Sequence, residues 1–103
     1  MVKATANDST VMSEGLSVWK YDVPMSDTFT LVLPAGALLL HVGIQYGRPQ
    51  LWALVNPLQS DERRHFRLAG TGHRIAPTAQ LAYVGSFLMS DDTLVFHLFE
   101  DRS

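Results

Sequence analysis

The sequence contains no cysteine, which excludes a disulfide framework, a thiolate nucleophile and a cysteine-ligated zinc site. Charge is also scarce. Only 17% of the residues are Asp, Glu, Lys or Arg, and the net charge of −2 provides no overall attraction to nucleic acid or to an anionic membrane. We therefore expect neither a nucleic-acid polymer nor a membrane among its partners.

Long uninterrupted hydrophobic runs are missing as well. The longest uncharged stretch, residues 29–45, is interrupted by Pro34, Gly36 and His41, so no transmembrane helix is predicted. The N-terminus lacks a basic region followed by an apolar core, the pattern of a secretory signal. These patterns predict a soluble protein of the cytoplasm.

Helical periodicity is absent from every stretch of ten or more residues, whereas alternation of apolar and polar residues recurs. Seven candidate strands cover residues 16–23, 28–33, 37–45, 50–55, 62–69, 80–89 and 93–100, with turns between them. The pattern predicts an all-β protein, a small antiparallel β-sandwich or barrel of about seven strands. Residues 1–16, small and polar, are predicted to form a flexible arm, and residues 17–103 a single β domain.

The segment 38–57 is the predicted centre of the domain. Two apolar arms flank a short connection, Tyr46 to Pro49, which is typical of a β-hairpin. Neither arm carries an Asp, Glu, Lys or Arg between residues 37 and 45 or between 50 and 55. We expect both arms to be central strands, buried on most of both faces.

The basic residues are concentrated in one segment. Four of the eight Lys and Arg residues lie between positions 63 and 74, together with two histidines: Arg63, Arg64, His65, Arg67, His73 and Arg74. If residues 62–69 form a strand, Arg63, His65 and Arg67 share one face, and Phe66 and Leu68 the other. The turn that follows, Gly70-Thr71-Gly72-His73, allows backbone N–H groups to converge on an anion, with arginine forks nearby.

Two interpretations of this segment stay open. In the functional one, the basic residues and the glycine turn bind a phosphate or another anion. In the other, the arginines form a solvated strand face paired with acidic residues, and the glycines only allow the bend. The turn lacks the Lys-Ser/Thr of a P-loop and the three-glycine spacing of a dinucleotide fold, so it is a weak motif.

Other chemistry has less support in the sequence. His41 and His97 lie inside apolar strands, where a neutral ring bonded to backbone is the usual outcome, and no closely spaced histidine pair indicates a metal site. Ser86 lacks the G-x-S-x-G environment of a nucleophile. We therefore predict no catalytic residue, no metal and no cofactor. Trp52 is the aromatic residue that we single out, because its indole could form the floor of a pocket and stack against a ring of the ligand; Tyr46 could do the same.

The chain resembles a short domain of unknown function carried by phages and prophages. The residues that carry the resemblance are Trp19-Lys20-Tyr21, Leu40-His41-Val42, Leu51 to Val55 (LWALV), Gly70 to His73 (GTGH), Tyr83 to Phe87 (YVGSF) and Leu94 to Glu100 (LVFHLFE). The resemblance covers about residues 18–100. It implies a small phage accessory protein expressed in the bacterial cytosol, of a kind that often counteracts host defences, and it assigns no catalytic residue.

Together these patterns predict binding without turnover. The favoured hypothesis is capture of a small anionic ligand, such as a nucleotide. Its predicted site residues are Trp52, Arg63, Arg67, Gly70, Thr71, Gly72, His73 and Arg74. The alternative is an inhibitor or adaptor that contacts a host or phage protein through an exposed strand edge or an aromatic patch. A homo-oligomer is expected, because small β domains leave edges that a symmetric partner can cover.

Overall fold

The structure, a computed structural model, describes residues 15–103. In this range it contains seven strands: β1 (Ser17–Asp22), β2 (Thr28–Pro34), β3 (Leu38–Gln45), β4 (Arg48–Val55), β5 (Asp61–Gly70), β6 (Leu81–Met89) and β7 (Leu94–Asp101). The predicted all-β class and the seven strands are confirmed. The predicted arm, residues 1–16, lies outside the described residues apart from Gly15 and Leu16. Within the described range, no helix is long and apolar enough to cross a membrane.

The strands form two antiparallel sheets that pack as a β-sandwich. The three-stranded sheet has the order β1-β4-β3, and the four-stranded sheet has the order β2-β5-β7-β6. Side chains alternate between the faces, so each sheet has one face toward the other sheet and one face outward. We call these the inner and outer faces.

The hairpin turn between β3 and β4 is tighter than the sequence suggests. Gln45 pairs with Arg48, so the loop contains two residues, Tyr46 and Gly47, whose φ angles of 52° and 75° are both positive. This is the pattern of a type I′ turn, which follows the right-handed twist of the strands. Arg48 and Pro49, predicted as loop, already belong to β4.

The expectation that both hairpin arms are central strands is correct for β4 and wrong for β3. Strand β4 lies between β1 and β3 and buries Leu51, Ala53 and Val55 almost completely. Strand β3 is the edge of the three-stranded sheet, and Leu38 and Leu40 are 58% and 47% exposed. A bulge between Leu39 and His41 directs Leu40 outward. An apolar run predicts that a strand can be buried, but the order of strands in the sheet decides which strand has a neighbour on both sides.

The core lies between the two inner faces. Its largest fully buried side chains include Phe66 and Leu98 of the four-stranded sheet and Leu51 and Val42 of the three-stranded sheet. Strands β3 and β6 approach closely at Gly85, where an added Cβ would lie 2.7 Å from Val42 Cγ1. Glycine at this position therefore allows the edges of the two sheets to meet.

Candidate functional site

Strand β5 places its basic residues as predicted. Phe66 and Leu68 are buried on the inner face, and Arg63 and His65 are exposed on the outer face together with the half-buried Arg67. His65 Nδ1 lies 2.9 Å from the hydroxyl of Thr30 on the neighbouring strand. The segment is a strand, and its alternation distributes the arginines between two environments.

Arg64 points inward and forms a buried ion pair. Its Nε and Nη2 donate to the two carboxylate oxygens of Glu100 at 2.7 and 2.9 Å, and its Nη1 donates to the carbonyl of Ala37. The two charged side chains are 14% and 8% exposed. Hydrogen bonding from Arg64 lowers the pKa of Glu100 below its usual range, and bonding to Glu100 raises the pKa of Arg64. Arg64 therefore links β5, β7 and the start of β3 and is not open to a ligand.

Arg67 stabilises the loop that follows β5 by hydrogen bonds to backbone carbonyls. Its guanidinium donates to the backbone carbonyls of Asp27, Leu68 and Arg74 at 3.1, 2.8 and 3.0 Å. Because these donors are bonded to carbonyls, Arg67 is not an open fork for a phosphate. It positions the backbone of the turn directly after His73.

The turn at Gly70–Arg74 closes on itself. The amide of His73 donates to the carbonyl of Gly70 at 3.0 Å, the amide of Thr71 donates to Val95 O at 3.0 Å, and Gly72 has a φ of 87°. The amide of Gly70 donates to Nδ1 of His73 at 3.3 Å. These three amides are engaged within the protein, so an anion bound here would meet side-chain donors rather than a ring of bare amides.

A cavity of about 540 Å³ lies beside this turn. Its lining residues come from the turn and from the beginning of β7: Gly70, Thr71, His73, Thr93, Leu94, Val95 and Phe96. One part of the wall is apolar, and the other carries two hydroxyls and an imidazole. This is the composition of a small-molecule site, where apolar surface supplies contact area and a few polar groups orient the ligand.

The imidazole of His73 is held at the wall of the cavity by its own backbone. Nδ1 accepts the hydrogen bond from Gly70, so the neutral ring carries its proton on Nε2, which is then a donor. A Cβ at Gly70 would lie 2.9 Å from Cε1 of the ring. Glycine at position 70 therefore leaves the space in which the ring rests.

A chain of hydrogen bonds leads from the cavity along the outer face of the four-stranded sheet. The hydroxyl of Thr71 lies 2.8 Å from His97 Nε2, and Ser86 Oγ lies 2.8 Å from His97 Nδ1. The hydroxyl of Tyr83 lies 2.7 Å from Ser86 Oγ. Each ring nitrogen of His97 thus meets a hydroxyl, and the chain fixes the position of Thr71 at the cavity.

The expectation that the ring of His97 is hydrogen-bonded to backbone is wrong, because its two nitrogens meet the hydroxyls of Thr71 and Ser86. The contact between His97 and Ser86 was not predicted from the sequence. The two residues are opposite each other on β6 and β7. A hairpin that pairs Met89 with Leu94 aligns Ser86 with His97, whereas a register one residue shorter aligns Ser86 with Phe96. Within the part of the chain that the structure describes, no carboxylate contacts His97, so this is not a serine-histidine-acid triad.

Trp52 lies apart from the other predicted site residues. It is on the outer face of the three-stranded sheet, where its ring packs against His41 at a centroid distance of 5.7 Å. Tyr46 is 92% exposed at the hairpin turn. Neither aromatic side chain lines the cavity, and Arg63, Arg67, Gly72 and Arg74 do not line it either. The structure brings together Gly70, Thr71 and His73, with Arg74 next in the chain.

Among residues 15–103, no three His, Asp or Glu side chains form a group that could hold a metal ion. Fold and site together define an all-β sandwich with a lateral cavity between a glycine turn and a strand. The chain belongs to the family described as a domain of unknown function, DUF7352, which it matches over residues 15–103. No curated protein and no solved structure matches it.

Proposed function

We propose that this domain binds a small anionic ligand, such as a nucleotide, in the cavity between the turn Gly70–Arg74 and the start of β7. The observation that carries the proposal is the cavity itself. Its volume of about 540 Å³ falls within the range of small-molecule sites, and Thr71 and His73, singled out for anion binding, lie in its wall.

The two parts of the wall suit the two parts of such a ligand. Leu94, Val95 and Phe96 provide apolar surface for a ring, and Phe96 is held by its stacked contact with Phe87 at 5.8 Å between centroids. The Nε2–H of His73 provides a donor for a phosphate or carboxylate. The hydroxyl of Thr71 donates to Val95 O at 3.4 Å, a long bond that a charged ligand group can replace. Arg74 follows His73 in the chain and is exposed, although it does not line the cavity.

The proposal requires no reaction. A ligand held by two donors and an apolar wall is bound and released unchanged. In a phage accessory protein, which the sequence resemblance implies, such capture would sequester a nucleotide signal of the host.

Calorimetry against a panel of nucleoside monophosphates, triphosphates and cyclic dinucleotides tests this proposal. His73→Ala is expected to weaken binding about tenfold or more, because a hydrogen bond to an ionised ligand group is lost. Arg63→Ala is the matched control, since Arg63 is an exposed cation outside the cavity. Absence of heat with every ligand would refute the proposal, and equal losses in both variants would exclude the cavity. Chromatography of the recovered ligand should show it intact.

A second candidate is suggested by the outer face of the three-stranded sheet. Val18, Leu38 and Leu40 are 55%, 58% and 47% exposed there, next to Trp52 and Leu54. A cluster of exposed apolar side chains on one face is typical of a protein-binding surface. Under this hypothesis the domain is an adaptor or inhibitor that contacts a host or phage protein through this face.

The two candidates respond to different substitutions. Leu40→Lys should abolish capture of a protein partner and leave nucleotide binding unchanged, because Leu40 is on the other sheet from the cavity. His73→Ala should do the reverse. A protein complex that survives Leu40→Lys and Leu38→Lys would contradict the adaptor hypothesis.

A further inference from the structure

Strand β1 is an open edge of the three-stranded sheet. Among the described residues, its hydrogen-bonded neighbour is β4, on one side. Five of its six residues are exposed, and it contains neither a proline nor a bulge. Natural β proteins usually protect such an edge, because its unpaired backbone groups can pair with another strand.

The structure shows which backbone groups of β1 face this edge. The amide of Val23 donates to the carbonyl of Pro49, its counterpart in the antiparallel register with β4. Because hydrogen-bonded and non-hydrogen-bonded pairs alternate, Tyr21, Trp19 and Ser17 direct their N–H and C=O groups toward β4. Val18, Lys20 and Asp22 therefore direct theirs to the open side.

We propose that β1 pairs with β1 of a second copy of this chain, antiparallel and with Trp19 opposite the partner's Trp19. The two three-stranded sheets then become one six-stranded sheet across a two-fold axis. Residues that face each other across such a pair must lie on the same side of the sheet, so the axis passes through a residue and not between two residues.

Charge and proline select this register. An axis at Lys20 would place it opposite the partner's Lys20, and like charges directly opposite are unfavourable. An axis at Tyr21 would pair Lys20 with the partner's Asp22. However, it would align Val18 with the partner's Pro24, which lies beyond the end of β1 and has no N–H to donate. An axis at Trp19 aligns Val18 with the partner's Lys20 and Leu16 with the partner's Asp22, and their open groups form about eight backbone hydrogen bonds.

Trp19 gives independent support for this register. Its side chain is on the inner face, opposite the fully buried Ala53, and yet it is 41% exposed. Its backbone groups bond to β4, so Trp19 and the partner's Trp19 form a non-hydrogen-bonded pair, the type in which side chains are closest. A cross-strand aromatic pair at the axis would cover both indoles.

Opposite charges at position 18 test the register. Val18 is 55% exposed, so its substitution does not disturb the core. Position 18 lies opposite the partner's Lys20 twice per dimer, and Lys20 Nζ also donates to Gln45 Oε1 at 2.6 Å, which moderates its effect across the axis. Val18→Lys should therefore weaken dimerisation severalfold, and Val18→Glu should strengthen it severalfold. Leu38→Lys and Leu38→Glu are matched controls, because Leu38 is in the same cross-strand row at the other edge of the sheet.

The dimer is measured by sedimentation equilibrium of the full chain between about 1 and 200 μM. One strand pair is smaller than a standard interface, so we expect a dissociation constant on the order of micromolar. A full chain that stays monomeric over this range overturns the proposal, whether the edge is then open or covered by the chain's own N-terminal segment. A dimer that responds equally to both charges at position 18, or only to the changes at position 38, overturns it too.

Discussion

Replacing Glu100 with glutamine is expected to lower the free energy of unfolding by about 3 kcal/mol. Glu100 is 8% exposed and accepts two hydrogen bonds from Arg64, which is itself 14% exposed. Glutamine keeps the shape but not the charge, so the guanidinium remains buried without its counter-ion. Breaking one partner of such a pair typically costs about 3–5 kcal/mol, and the lower end applies here because the amide oxygen still accepts one bond.

The size of this loss relative to the whole domain makes it easy to measure. Domains of this length have free energies of unfolding of about 5–15 kcal/mol. Urea denaturation followed by tryptophan fluorescence should show a lower midpoint at unchanged slope. Arg102 also lies 3.3 Å from Glu100 but is 64% exposed, so Arg102→Ala should cost less than about 1 kcal/mol.

The control for Glu100→Gln is on the same strand as Arg64. Arg63→Met removes an exposed arginine from β5 and should change stability by less than about 0.5 kcal/mol. The double variant Arg64→Met/Glu100→Leu should recover most of the loss, because no buried charge is left unpaired. If Glu100→Gln costs no more than Arg63→Met, the ion pair between Arg64 and Glu100 does not stabilise the fold as argued.

Three further predictions concern pH, backbone strain and packing. The pKa of Glu100 in the folded protein is below its ordinary value of about 4.5, so the stability that its charge contributes is complete above that pH and is lost as the pH falls through the lowered pKa. The free energy of unfolding of Glu100→Gln should therefore fall less steeply with acid than that of the unsubstituted protein, as measured by acid titration. Ser90, Asp91 and Asp92 have φ angles of 54°, 54° and 67°, so Asp91→Gly should stabilise by about 0.5–1 kcal/mol, and Asp91→Ala should not. Gly85→Ala should lower the free energy of unfolding by about 1–3 kcal/mol, measured by urea denaturation, because the new Cβ would lie 2.7 Å from Val42 Cγ1. The double variant Gly85→Ala/Val42→Ala should lose less stability than the sum of the two single losses, because Val42→Ala removes the atom that clashes.

Local patterns in the sequence determined the strands of this protein. The alternation of apolar and polar residues along short segments identified all seven strands. In β5 it also predicted that Phe66 and Leu68 share one face and that Arg63 and His65 share the other. The hairpin at Tyr46-Gly47 was also readable, because a glycine turn between apolar arms is a short-range signal. These features depend on neighbours in the chain, so an alternating pattern suffices to predict them.

Tertiary structure alone decided the partners of the charged and polar side chains. The pairing of Arg64 with Glu100 joins residues 36 positions apart, and the alignment of Ser86 with His97 depends on a one-residue difference in register. Strand order left β1 and β3 at the edges, although β3 has the composition of a central strand. The cavity exists because the Gly70–Arg74 turn lies against the start of β7, a contact that arises from the pairing of β5 with β7 and that no local pattern encodes.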